Sequence, residues 1–93
     1  MRSRFVIEDD FHAEWMDQFD SRSDAVQELR RLAALSWNVD PNRAPCTNWA
    51  NCSREYHLIE FDIDTEPFWT ELSREHVLDV SPLGNKWIND FAA

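Results

Sequence analysis

Glycine occurs once in these 93 residues, at Gly84. Loops that cradle phosphates, dinucleotide fingerprints and nucleophile elbows each need several closely spaced glycines, for positive φ or close backbone approach. None can be assembled here, which removes the common nucleotide-dependent enzymes. Lysine also occurs once, at Lys86, and nine basic residues against 18 acids leave a formal charge of −9. Phosphate recognition relies on clustered Lys and Arg that release counterions, so direct nucleic-acid binding is not expected. Long apolar runs are missing too. The longest are a few residues, such as Leu32–Leu35, against the roughly 20 that a membrane-spanning helix needs. The opening MRSRFVIEDD meets acidic residues before a hydrophobic signal core forms, so the expected location is cytoplasmic.

What is present suffices for a folded unit. An apolar share of 43% with 13% aromatics can build a core, which a disordered chain lacks the surface to do. The length fits one domain, 1–93. Arg4–Glu8 is dense in aromatic and β-branched residues and reads as a strand. Ala13–Phe19 alternates, placing Ala13, Trp15 and Phe19 on one face and Glu14, Met16 and Gln18 on the other, with Asp17 breaking the apolar side. A helix is expected over 22–35. Ser21 is a natural N-cap with Asp24 three residues on, and Val26, Leu29, Leu32 and Ala33 fall at helical spacing. Asp24 and Glu28 near its start and Arg30 and Arg31 near its end suit the helix dipole.

Tyr56–Ile63 is a strong strand pattern, with His57, Ile59, Phe61 and Ile63 on one face. Phe68–Leu72 is ambiguous between a strand and a helical turn. His76–Ser81 and Lys86–Ile88 flank a Ser81–Asn85 turn and read as a closing hairpin. The order is β-β-α-loop-β-(β)-β-β. The expected fold class is α+β, a small mostly antiparallel sheet of four to five strands with one amphipathic helix packed on one face.

The long loop 38–53 stands out chemically. Pro41–Arg54 holds both cysteines, Trp49 and two arginines but no acid, while residues 8–20 and 55–71 each carry six acids and no Lys or Arg. Loops of this length are commonly functional or mobile. Cys46 and Cys52 are spaced C-x5-C, wider than zinc knuckles use, and a set completed by His57 and His76 departs from the usual pattern, so no metal site is expected. A disulfide would be reducible in a cytoplasm. Arg43 and Arg54 bracket the two thiols and favour thiolate formation, which makes Cys46 and Cys52 candidate redox residues, although small buried cysteines are the commoner case.

Other constellations carry less. Glu60, Asp62, Asp64 and Glu66 echo a calcium loop, but Pro67 stands where glycine is required and Ser73 where the closing Glu belongs. No catalytic motif appears among the histidines, serines and carboxylates, so no catalytic residue and no cofactor are assigned. Five tryptophans are many for this length. Trp15, Trp37 and Trp87 are expected to cap the core, and Trp49 to anchor the loop at a surface. These features favour a non-enzymatic protein-interaction or regulatory module. Its acidic faces would steer a basic protein partner to a loop whose binding residues are Arg43, Trp49 and Arg54. Two alternatives are an acidic mimic of DNA that inhibits a nucleic-acid-binding protein, and a thiol- or metal-dependent activity at Cys46 and Cys52. Homodimerisation through a sheet edge is compatible with so small a sheet.

Overall fold

The computed structural model describes residues 2–44, 53–89 and 91. The elements run β1 (Ser3–Asp9), β2 (Glu14–Phe19), α1 (Arg22–Ala33), β3 (Arg54–Asp62), β4 (Thr70–Ser81) and β5 (Gly84–Trp87). The strands form one antiparallel sheet in the order β2-β1-β3-β4-β5, and α1 covers one face of it. This is the expected α+β architecture. The doubtful strand near 68–72 and the strand from His76 are one continuous element, β4. No helix among the described residues is long and apolar enough to cross a membrane.

Helix α1 starts where its cap dictates: the Ser21 hydroxyl accepts the Asp24 backbone N–H at 3.1 Å. Ala25, Leu29 and Leu32 are buried against Ile7, Tyr56, Leu58, Val77, Leu78 and Val80, and each leucine placed there is worth about 1.5–3 kcal/mol. Helices commonly end on a glycine, which this chain cannot supply. Two remote asparagines serve instead. Asn42 Nδ2 donates to the Leu32 and Leu35 carbonyls at 2.9 and 3.0 Å, and Asn85 Nδ2 donates to those of Ala33 and Leu35 at 2.9 and 2.6 Å. The helix end is thereby tied both to the chain that follows it and to β5.

The single glycine has its own necessity. Gly84 closes the β4–β5 hairpin opposite Ser81 with φ at +120°, a region that side chains strain to enter.

Three β-bulges set which side chains share a face. Ile7 pairs with Asp17 but Glu8 with Trp15, so Met16 is an extra residue in β2. Met16 turns to the helix side with Phe19, and Trp15 goes to the other side. The strict alternation that would put Trp15 with Phe19 is therefore corrected. In β4, Val77 is extra between the Tyr56–Leu78 and His57–His76 pairs, and Leu72 is extra between Glu60–Ser73 and Phe61–Glu71. Val77 enters the core beneath the helix. As expected, Trp37 and Trp87 pack against that core, whereas Trp15 does not belong to it.

Candidate functional site

Cys46, Trp49 and Cys52 lie outside the described residues. Arg43 is exposed, and its carbonyl accepts Arg54 Nη2 at 2.8 Å. Arg54 is 4% exposed. Its Nη1 donates to Asp9 Oδ2 at 2.9 Å and Glu14 Oε1 at 2.7 Å, and its Nε donates to the Asn42 carbonyl at 2.9 Å. Asp9, fully buried, also accepts the N–H groups of Phe11 and Glu55 and is paired with His12. The Tyr56 hydroxyl donates to Asn42 Oδ1 at 2.9 Å, and burial raises its pKa so that it stays a donor. A buried charge persists only when paired and hydrogen-bonded. Here the pairing joins β1, β2, β3 and the segment after α1, so all of the bonds just named for Arg54 end inside the molecule.

The face of the sheet away from α1 carries the more open chemistry. Val6 and Ile59 pair across β1 and β3 on this face and are fully buried, although α1 lies on the other face. Trp15 from β2 reaches Phe61 of β3 with ring centres 5.5 Å apart, and Trp69, just before β4, lies 6.1 Å from Trp15 and 5.9 Å from Phe61. Together with Pro67 and Phe68 they line an open apolar groove. Trp15 is 45%, Trp69 38% and Phe68 81% exposed. Beside the groove, Arg74 Nη1 bonds Glu8 at 2.7 Å and lies 3.4 Å from Asp10, while its Nη2 bonds Glu71 at 3.0 Å. Three carboxylates thus share one guanidinium, which leaves the rim net negative.

At the other end of this face, His57 on β3 lies opposite His76 on β4. Their rings stack with centres 4.8 Å apart and planes 11° from parallel. His76 Nε2 is 2.6 Å from Asp79 Oδ1, and His57 Nε2 is 3.9 Å from Asp10 Oδ2. Burial holds the His57 pKa below its ordinary value.

Sequence reasoning placed His57, Ile59 and Phe61 on one face correctly, but missed both clusters. Trp15 and Trp69 are 54 positions apart in the chain, and the bulges that align the histidines leave no mark in the hydrophobic pattern. The density of tryptophan was the one available signal. Comparison of the chain with protein-family models, curated proteins and solved structures returns no match.

Proposed function

We propose that this protein is a small interaction module that binds an extended, basic protein segment through the face of its sheet opposite α1. The observation that carries this reading is the exposed aromatic groove of Trp15, Phe61, Phe68 and Trp69. Aromatic residues of this kind supply most of the binding energy at protein interfaces. Two further features support it and specify the occupant. The rim beside the groove is net negative, as is the whole chain at −9, which favours Lys and Arg in the partner. Next to the groove, β5 pairs only with Leu78–Ser81, so Thr70–Glu75 has no strand on its outer side among the described residues. Such an edge accepts an added strand through main-chain hydrogen bonds, while an adjacent pocket reads its side chains. The bulge at Leu72 twists that edge, which discourages flat self-pairing.

The acids are spread over the molecule and several are paired: Arg2 with Asp64, Arg4 with Asp20, Arg22 with Glu75, Arg31 with Glu28. That distribution lends no support to a phosphate-like stripe. Selection from a random 12-residue peptide library against the whole protein tests the proposal. Recovered peptides are expected to combine an aromatic or leucine anchor with Lys or Arg, and to bind Phe68→Ser about 30-fold more weakly, as for a hot-spot residue. Acidic peptides, or unchanged affinity for Phe68→Ser, contradict the proposal. So does concentration-dependent dimerisation through the β4 edge, measured by sedimentation.

A further inference from the structure

The histidine end of the same face carries a second inference, independent of the binding groove. In regular pairing, the residue opposite His57 would be Val77, since Tyr56 pairs with Leu78. The bulge turns Val77 into the core and slides His76 into its place. Glu55, two residues before His57 on β3, projects from the same face. One donor atom from each of Glu55, His57 and His76 lies within 4.8 Å of the other two.

The nitrogens show how the set is arranged. His57 Nδ1 is buried and has no hydrogen-bond partner among the described residues, a state that native structures rarely leave unexplained. His76 has its Nε2 engaged by Asp79, and His57 has its Nε2 turned toward Asp10. Asp10 lies 3.9 Å from the His57 imidazole, beyond hydrogen-bond length, so the ring that is hydrogen-bonded to a carboxylate is His76. A metal-ligating histidine usually has this arrangement, because the carboxylate fixes the tautomer and raises ligand basicity.

We propose that Glu55, His57 and His76 bind a divalent transition metal of the zinc class, with Asp79 orienting the His76 imidazole. Two imidazoles and one carboxylate suit zinc, cobalt, nickel or copper, whereas calcium and magnesium require more oxygen ligands. Bond lengths of about 2.0–2.2 Å in a tetrahedral site put ligand atoms about 3.3 Å apart. The three ligand atoms therefore have to draw closer together on binding. Three protein ligands leave one position, on the side where His76 is 31% exposed, for water or a donor from another molecule.

The test is titration of the full-length, chelator-treated protein with Zn2+ by calorimetry, and with Co2+ by visible absorption. The expected result is one saturable site whose affinity falls at least about tenfold in each of His76→Ala and Glu55→Gln, and by about tenfold in Asp79→Asn. Mg2+ is expected not to compete. The bound Co2+ should show no thiolate charge-transfer band, and the ring signals of His57 and His76 in the wild-type protein should shift on Zn2+ binding. These wild-type readouts hold even if a variant fails to fold. The proposal is overturned by absence of saturable binding, by unchanged affinity in His76→Ala and Glu55→Gln, or by a thiolate band that assigns the metal to Cys46 and Cys52.

Discussion

Replacing Arg54 with methionine keeps the length of the side chain and removes its charge and donors. The change strips one oxygen of the fully buried Asp9 of a 2.9 Å bond and leaves the Asn42 and Arg43 carbonyls without their 2.9 and 2.8 Å donors. Removing one partner of a buried ion pair costs about 3–5 kcal/mol, because the other charge stays behind uncompensated. A chain of this length has roughly 5–14 kcal/mol of stability in total. Each kcal/mol lowers the melting temperature of so small a domain by about 4–8 °C, so a fall of about 12–40 °C is expected. Urea and thermal unfolding followed by tryptophan fluorescence and circular dichroism measure it. The double variant Asp9→Asn/Arg54→Met should be more stable than the sum of the two single losses by at least about 1 kcal/mol, since the stranded charge is gone. A loss below about 1 kcal/mol for Arg54→Met, the size of an exposed pair, would refute the reasoning.

The remaining expectations follow from the same contacts. Asn42→Ala should cost roughly 2 kcal/mol or more in urea unfolding, since buried carbonyls at the helix end and the Tyr56 hydroxyl lose their partner; Tyr56→Phe should cost about 1 kcal/mol, and the reverse ranking would count against the capping role. Gly84→Ala meets no atom within 4 Å, so its cost is conformational only, at about 1–3 kcal/mol from the +120° φ; an unchanged midpoint would show that the turn rearranges freely. For the metal-free protein, burial lowers the His57 pKa, helped by His76 and Arg74 and opposed by Asp10 and Glu55, from an ordinary value of 6.5. The unfolded chain then takes up the proton first, so His57's contribution is complete above pH 6.5 and is lost as pH falls from there through the lower folded value. His57→Gln should flatten that part of the stability profile, and an identical slope in the variant would contradict it.

Local signals were legible and long-range ones were not. The Ser21 cap, the stripe of Val26, Leu29, Leu32 and Ala33, the alternation of Tyr56–Ile63 and the turn before Gly84 all act within a few residues, and each marks its element in the sequence. A bulge adds one residue to one strand and inverts every side chain beyond it, with no compositional trace. Met16, Leu72 and Val77 are the three cases, and they decide that Trp15 joins Phe61 and that His57 meets His76. The charge of Arg54 was visible as a boundary of the acid-free loop, but its partner Asp9 lies 45 positions away. Only strand pairing could reveal that the guanidinium is enclosed. The scarcity of glycine excluded phosphate loops, and it also explains why the helix end is held by Asn42 and Asn85 instead.

The claim that the face opposite α1 is the contact surface is tested most directly by nuclear magnetic resonance of the tryptophan indole N–H groups during titration with a selected basic peptide. Trp15 and Trp69 line the groove, while Trp37 and Trp87 pack against the core on the helix side. Saturable shifts of the Trp15 and Trp69 signals, with Trp37 and Trp87 unmoved, are the expected result. Shifts confined to Trp37, Trp87 and the amides of α1, with Trp15 and Trp69 unmoved, would contradict it.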